Sequence, residues 1–180
     1  MRRCHGNDPN TLVVDELGLC LGAARVDVAV VNGSVHGYEI KSPCDTLARL
    51  PGQADVYGRV LDYVTIIVAE NHAKAVDGAV PIWWGVWSAA ECKAGVRLKQ
   101  VRKGRRNPGI DPLAIAQLLW RDEALNALAQ RGLADGMRSK PRAALWRRLA
   151  DAVPLKELRD VVRQCLRTRP IDWRSGAPPA

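Results

Sequence analysis

The chain has 180 residues, of which 47% are hydrophobic, so it is long and apolar enough to form a folded domain with a buried core and is not a disordered chain. It contains no apolar run of about 18 residues, which excludes a membrane-spanning helix. The net charge of +8 favours a polyanionic partner over a basic or neutral one.

The first predicted element is a helix over NTLVVDELGLCLG. Asn10 or Thr11 would cap its start and Gly22 would end it. Val13 and Leu17 begin an apolar stripe at the i, i+4 spacing of one helix face.

The next stretches, RVDVAVV and VHGYEIK, predict two antiparallel strands joined by an Asn-Gly turn. Side chains alternate along a strand, so Glu39 and Lys41 share one face. A two-residue turn would put Asp27 on the other face from Glu39. If the carboxylates of Asp27 and Glu39 are to share one face, the loop must have an odd number of residues. On that condition we predict a three-residue loop ending at a left-handed Gly33, which sets Asp27 opposite Gly37.

The remaining elements complete an α/β pattern. We predict a helix over DTLARLPGQADVYGRVL, interrupted at Pro51, and then a buried central strand over YVTIIVA. A short helix is predicted over NHAKAV, and two further strands are predicted over PIWWGVW and GVRLKQVRK. Ala, Leu and Arg at helical spacing then predict helices near residues 111–130, 140–152 and 155–168. The expected fold is a mixed central sheet flanked by helices, with a C-terminal helical extension. The expected divisions are a core over residues 1–106, a basic helical subdomain packed on it over residues 107–170, and a disordered tail over residues 171–180.

Three charged residues interrupt the otherwise apolar hairpin: Asp27, Glu39 and Lys41. Charges on a half-buried surface are costly unless they pair with each other or hold a metal ion. The spacing alone favours an ordinary ion pair on a solvated sheet face, because D…E-x-K is a short pattern that is common by chance.

The surrounding residues make a longer pattern. Glu16 lies on the predicted helix before the hairpin, and Gln53 and Tyr57 lie four residues apart on the predicted helix after it. This succession resembles the PD-(D/E)XK nuclease superfamily in its RecB-like branch, whose core fold is restriction-endonuclease-like. The match is closer to an uncharacterised bacterial family of that superfamily with the patterns R-x-D-V-A, E-I-K-S-x-x-D-T-L-x-R-L and Q-x-x-x-Y. WWGVW, LLWRDEAL and RSKPRAALW extend the similarity over most of the chain, although Val26 stands where the superfamily name has proline.

The resemblance implies a phosphodiesterase that uses Mg²⁺, with Mn²⁺ as the alternative ion, and acts on nucleic acid, preferentially DNA. It assigns the metal to the side chains of Asp27 and Glu39 and to the Ile40 carbonyl. Lys41 would hold the attacking water and stabilise charge on the phosphate. Glu16 would help to hold the metal, directly or through water.

Three of these residues keep an alternative role. Glu16 would serve equally as the ion-pair partner of Arg25. Tyr57 is more readily explained as a core aromatic with a satisfied hydroxyl than as a catalytic group, and Gln53 would shape the site or touch the nucleic-acid backbone.

The charge is divided unevenly along the chain. Residues 1–90 carry seven basic and ten acidic side chains, whereas residues 91–180 carry twenty and nine. Seven basic residues and no acidic one lie between Lys93 and Arg106. Solvated helix faces would explain scattered charges, but a local run without acids favours contact with phosphates. The predicted nucleic-acid contacts of this run are Arg102, Lys103, Arg105 and Arg106.

Other classes of function stay open. The chain would alternatively be a nuclease-fold module that binds DNA without cutting it, or a subunit whose basic half docks an acidic protein; a homodimer also stays open. A P-loop nucleotide enzyme is disfavoured, since no G-x-x-x-x-G-K-[ST] pattern occurs. The five scattered cysteines form no C-x-x-C pair, and MRRCHGNDPN has no apolar segment behind its arginines. We therefore expect no zinc site, no signal peptide, no membrane contact and a cytoplasmic location.

Overall fold

The structure is a computed structural model that describes residues 8, 10–93 and 95–170. This part of the chain forms six strands: β1 Leu12–Leu19, β2 Ala24–Val31, β3 Val35–Lys41, β4 Tyr63–Ala69, β5 Gly85–Cys92 and β6 Gly95–Arg102. It also forms six α-helices: α1 Leu50–Val60, α2 Ala73–Ala79, α3 Pro112–Ala116, α4 Arg121–Ala129, α5 Arg142–Ala152 and α6 Leu155–Thr168.

The strands form one mixed sheet in the order β1-β2-β3-β4-β5-β6. β3, β4 and β5 run parallel, and the other neighbouring pairs are antiparallel. The connections through α1 and α2 join successive parallel strands, and right-handed crossovers put both helices on the same face of the sheet. The predicted class, an α/β core with a mixed sheet, flanking helices and C-terminal helices, is confirmed.

The first predicted element is wrong, because the segment is the edge strand β1 and not a helix. Glu16 has a φ of +57° inside this strand. A left-handed residue interrupts the alternation of a strand, and the buried side chains are accordingly Val14, Leu17 and Leu19, spaced by three and then by two. The helix was predicted from the four-residue spacing of Val13 and Leu17, but the strand buries Val14 and not Val13, so that spacing does not mark the buried face.

The β2–β3 loop has three residues, as predicted, but begins one residue later than expected. Its glycine does not have a positive φ. Instead, the Asn32 side chain accepts a hydrogen bond from the Ser34 backbone nitrogen at 3.2 Å and closes the turn. The loop pairs Gly37 with Ala29, so the predicted pairing of Gly37 with Asp27 is wrong by two residues.

The middle of the chain follows the predicted order with shifted ends. α1 begins only at Leu50, with proline in its first turn, and β5 begins at Gly85, after the two tryptophans. A Cβ atom on Gly85 would lie 2.9 Å from Thr65 Oγ1 and 3.2 Å from the Gly104 nitrogen. The chain that leaves β6 therefore passes so close to the start of β5 that only glycine fits there.

The helix predicted over residues 111–130 is two helices, α3 and α4, separated at residues 117–120. Each has its own cap. Asp111 accepts hydrogen bonds from the backbone nitrogens of Leu113 and Ala114, and Glu123 accepts one from the Trp120 nitrogen at 2.7 Å. The helices predicted near residues 140–152 and 155–168 are present as α5 and α6.

Sheet and helices share one hydrophobic core, because their buried side chains form a single cluster. The junction at the predicted 106/107 boundary is itself anchored. Asn107 is buried and donates hydrogen bonds to the carbonyl oxygens of Gly58 and Leu61 at 2.6 and 2.8 Å. The predicted tail lies outside the described residues. In the described part of the chain, no helix is long and apolar enough to cross a bilayer.

Candidate active site

The centre of the site is a buried ion pair at the end of β3. Glu39 and Lys41 are only 1% and 8% exposed, and Lys41 Nζ lies 2.7 Å from Glu39 Oε1. α1 covers the pair and brings Gln53 Nε2 to 2.8 Å from the same oxygen. Predicted site residues from β3 and α1 therefore meet around one carboxylate.

Tyr57 supplies the other contact to Glu39. Its hydroxyl lies 2.6 Å from Glu39 Oε2 and 2.7 Å from the Arg25 carbonyl oxygen, and has one proton to donate between them. Burial, together with the hydrogen bond to Glu39, holds the pKa of the Tyr57 phenol far above its ordinary value. Tyr57 is thus a neutral donor that orients Glu39, in agreement with the core-aromatic alternative.

Asp27 joins the site from β2. The last pair of the β2–β3 ladder is Val28 with Tyr38, and one step further along the same register lie Asp27 and Glu39. At this point Asp27 Oδ2 accepts a hydrogen bond from the Ile40 backbone nitrogen at 2.7 Å. Burial raises the pKa of Asp27, and the Glu39 charge adds to this, against the lowering effects of the Ile40 amide and Lys41. A cation beside Asp27 would therefore stabilise its charged form.

Glu16 lies next to Asp27, although on a strand and not on the predicted helix. Its neighbours in β1 pair with Val28 and Val26, which leaves Glu16 opposite Asp27. Its side chain is 60% exposed and lies 3.6 Å from the Arg25 guanidinium. This contact supports the Arg25-partner alternative, while the Glu16 charge still contributes to the raised pKa of Asp27.

The donor set fits a hard divalent cation. Asp27 Oδ1 has no hydrogen-bond partner among the described residues, and the three donors on Glu39 leave about one of its four lone-pair positions open. No three carboxylate, imidazole or thiol side chains converge within the described residues. An ion here would therefore rest on two carboxylates, a backbone carbonyl such as that of Ile40, and water, which is a typical environment for Mg²⁺.

Arg102, a predicted nucleic-acid contact, is instead held by the protein itself. Its Nε donates to the Trp84 carbonyl oxygen at 2.9 Å, one of its terminal nitrogens donates to the Pro81 carbonyl oxygen at 3.0 Å, and it pairs with Asp77 at 3.1 Å. The guanidinium thereby ties β6 to the chain between α2 and β5. Its partners come from a segment about 20 residues away, which no local pattern could indicate.

The rest of the basic run is divided between the two ends of the sheet. β6 is antiparallel to β5, so Lys103, Arg105 and Arg106 lie near the amino end of β5, where the Arg105 nitrogen donates to the Trp83 carbonyl oxygen. Asp27, Glu39 and Lys41 lie at the carboxyl end of β3. The structure therefore does not bring these three exposed basic residues together with the site.

Two other basic residues of the run, Arg97 and Lys99, lie at the site end. The register places Lys41, Val68, Ser88 and Lys99 in one row across β3, β4, β5 and β6. Arg97 pairs with Ala90, two residues further toward the carboxyl end of β5. The alternation in GVRLKQVRK predicts that both side chains share one strand face, and the antiparallel direction of β6 puts them at the site end.

Comparison with known proteins gives the family. The family described as Bacteriophage P4 protein cII matches residues 1–172. Protein cII of Enterobacteria phage P4 is 30% identical over 121 residues, which are 67% of this chain and 46% of that protein, so this chain spans less than half the length of that relative. A solved structure, a protein of unknown function from Silicibacter pomeroyi, has a TM-score of 0.44 at 20% identity and covers 77% of this chain and 87% of its own. On the first of these matches, which spans nearly the whole sequence, the chain belongs to the bacteriophage P4 protein cII family.

Proposed function

We propose that this chain is a divalent-metal-dependent nuclease that hydrolyses phosphodiester bonds, with DNA as the preferred substrate. The observation that carries the proposal is the convergence of three side chains at one end of β3. Glu39 Oε1 lies 2.7 Å from Lys41 Nζ. Asp27 accepts a hydrogen bond from the backbone nitrogen of Ile40, the residue between Glu39 and Lys41. Such a buried group of charges is costly for stability, so a functional role accounts for it better than packing does.

The roles of the residues follow from their chemistry. Asp27, Glu39 and the Ile40 carbonyl would hold Mg²⁺ or Mn²⁺, which when bound polarises the scissile phosphate and lowers the pKa of a coordinated water. The Lys41 ammonium, held in place by Glu39, stabilises the negative charge that develops on the phosphate oxygens. Gln53 keeps Glu39 in one orientation, so the carboxylate is preorganised.

A second candidate function is favoured by one specific observation. Both oxygens of Glu39 already accept hydrogen bonds from side chains, three in all, so the carboxylate is held in place by the protein without a metal ion. It supports the alternative that the chain is a catalytically silent module that binds DNA or a protein partner through its basic surfaces. Cleavage separates the two candidates.

The proposed location is the cytoplasm. The cysteines in the described part of the chain, Cys20, Cys44, Cys92 and Cys165, are free thiols. Free thiols are typical of a reducing compartment, where intracellular nucleic acid is accessible.

The test is a cleavage assay on single- and double-stranded DNA and RNA with Mg²⁺, Mn²⁺ or EDTA. We expect cleavage that depends on the metal and is reduced by at least about 100-fold in Lys41→Ala. Lys74→Ala, which removes an exposed lysine of α2, is the matched control and keeps the parent rate. Equal rates in the parent and Lys41→Ala would contradict the proposal, and a parent that cuts no substrate would favour the silent module.

A further inference from the structure

A cavity of about 530 Å³ lies between β1 and the C-terminal helices, next to the candidate active site. This volume is within the range of about 300–1,000 Å³ that small-molecule sites occupy. Its walls are the segment 14–22 with Arg25 on the sheet side and the segment 117–120 with side chains of α5 and α6 on the other. Neither the catalytic roles above nor the predicted contacts of the basic run make use of it.

The cavity carries cations that suit a phosphate. The exposed Arg142 guanidinium stacks on the Trp146 ring with its carbon 4.6 Å from the centroid, and no ion pair joins it to a carboxylate of the described residues. The Arg25 side chain is 66% exposed, and its pairing with Glu16 at 3.6 Å is of the weak surface kind. Both arginines can therefore form the bidentate hydrogen bonds that phosphate oxygens accept.

The cavity also has an aromatic wall. Trp120 is half-buried at its edge, and the Arg169 guanidinium, itself paired with Glu123, stacks on the Trp120 ring at 4.3 Å. The Arg169 side chain is only 5% exposed and covers one face of this indole ring. Tryptophan rings are among the groups against which proteins hold nucleobases. Phosphate-binding and base-binding groups thus line one space.

The backbone of the wall is under strain. Three non-glycine residues of the described chain have a positive φ, Glu16 at 57°, Cys20 at 48° and Leu21 at 60°, and all three line this cavity. Such conformations are unfavourable for residues with a side chain and are concentrated at ligand sites. Their clustering supports a functional origin for the wall.

The cavity lies beside the candidate active site along β1 and β2. Arg25 and Asp27 are two residues apart on β2, and Glu16, which lines the cavity, is opposite Asp27 in the β1–β2 register. Adjacent strands are about 4.8 Å apart, so a group in the cavity is within about one nucleotide of the carboxylates. A nucleic-acid strand bound at the carboxylates would therefore reach the cavity.

We propose that this cavity binds a nucleotide unit of the strand held at the Asp27, Glu39 and Lys41 site. Its phosphate contacts Arg25 and Arg142, and its base lies against the Trp120 side of the cavity. The continuity with the strand rests on the proposed nuclease function, whereas the nucleotide site itself does not.

Binding is measured on the full chain by fluorescence anisotropy of a fluorescein-labelled single-stranded oligonucleotide in EDTA, so no cleavage is needed. Thymidine 5′-monophosphate is the competitor, with thymidine for comparison. Arg142→Ala removes a cation of the cavity, and Arg148→Ala removes an exposed arginine of the same helix outside it. We expect Arg142→Ala to weaken oligonucleotide binding by about 5- to 20-fold and Arg148→Ala by less than about twofold.

A second variant fills the cavity without using a charge. A Cβ atom on Gly18, which lines the cavity, would meet no atom within 4 Å, so Gly18→Leu enters open space. Gly78→Leu, at an equally open glycine of α2, is its control. We expect Gly18→Leu to weaken binding as Arg142→Ala does, with the circular dichroism spectrum unchanged.

The outcomes separate the cavity from catalysis. Loss of binding in Arg142→Ala and Gly18→Leu supports the cavity site even if the parent cleaves nothing. Competition by the mononucleotide identifies a free nucleotide as a sufficient ligand, and its absence identifies the strand as the ligand. Binding by both variants at the level of their controls, or no binding by the parent, would overturn the proposal even if the parent is an active nuclease.

Discussion

Asp27 bears its carboxylate where burial and the charge of Glu39 oppose ionisation. Its pKa in the folded chain is above the ordinary value of 3.8, so the folded state binds the proton more tightly than the unfolded state does. The contribution of Asp27 to the free energy of unfolding is therefore largest at pH values below 3.8, and it decreases as the pH rises through the raised pKa. At neutral pH the ionised carboxylate therefore destabilises the fold.

Asp27→Asn should remove this cost while keeping an oxygen for the Ile40 amide. We expect the melting temperature of the variant to exceed that of the parent by about 1–3 °C near pH 7. The gain should vanish near pH 3.5, where Asp27 is protonated in the parent. Asp55→Asn, at an exposed aspartate of α1, is the control and should show no gain. A variant less stable than the parent near pH 7 would contradict the assignment of an unfavourable charge.

Tyr57 acts on Glu39 by orientation and not by proton transfer, because the pKa of its phenol is too high for ionisation at neutral pH. Tyr57→Phe leaves a buried carboxylate oxygen without its donor, so the free energy of unfolding in urea should fall by about 1–2 kcal/mol. Tyr63→Phe, whose hydroxyl has no hydrogen bond among the described residues, is the matched control. Cleavage by Tyr57→Phe should fall by less than about tenfold, and a complete loss at unchanged stability would instead make Tyr57 a catalytic group.

At the scale of elements, α6 is attached to the sheet by charge as well as by apolar packing. Asp62, with its side chain 3% exposed, pairs with Arg159 and accepts a hydrogen bond from the Val35 nitrogen at 2.8 Å. Arg159 is one of the twenty basic residues in the second half of the chain. The structure uses it inside the fold.

Arg159→Ala would leave the buried Asp62 carboxylate with only the longer contact to Arg163, at 4.0 Å. We expect it to lower the free energy of unfolding by about 2–4 kcal/mol in urea titrations. Lys156→Ala, at an exposed position of the same helix, should change it by less than about 0.5 kcal/mol. Equal stability of the two variants would mean that the ion pair does not hold α6 in place.

β6 carries basic residues to both ends of the sheet. Lys99 lies in the same row as Lys41, and Arg97 lies two residues beyond it, at the same end. Lys99 is three strands from Lys41, or about 14 Å, which is about two phosphates along a strand. Neutralising Arg97 and Lys99 together should flatten the slope of log K against log salt by roughly 1–2 units, at about 0.9 for each phosphate contact on duplex DNA.

The matched variant neutralises Lys103, Arg105 and Arg106 at the other end. It should flatten the slope less, although it removes more charge. The reverse ranking would show that nucleic acid crosses the amino end of β5 and would restore the contacts predicted from the sequence.

For the whole molecule, the sequence predicted well wherever local pattern and tertiary environment agree. The β-branched run of β4 and the alternation in β3 required no distant information, and they were enough to bring Glu39 and Lys41 to one face. The prediction for β1 was wrong because the left-handed Glu16 interrupts the alternation of the strand. The hydrogen bonds of Arg102 within the protein could not be predicted from its own segment, because the carbonyl oxygens that accept them lie in the turn before β5.

The predicted division into two parts at residue 106 follows a change of composition, but composition does not indicate how the two parts are joined. Composition does change after residue 106, where strands give way to helices rich in Arg and Ala. Composition alone does not predict that Asn107 and Asp62 join the two parts, or that the apolar side chains of both parts form one core. The cavity beside β1 exists because the helices pack against this sheet edge, so no segment of sequence could indicate it.

The central claim is that Asp27 and Glu39 hold a divalent cation, and the most direct test is Mn²⁺ binding followed by electron paramagnetic resonance. The parent should bind Mn²⁺ with an affinity at least about tenfold above that of Asp27→Asn and of Glu39→Gln. Asp55→Asn should bind as the parent does. A parent that binds Mn²⁺ no better than Asp27→Asn would contradict the metal site and leave the silent binding module as the better account.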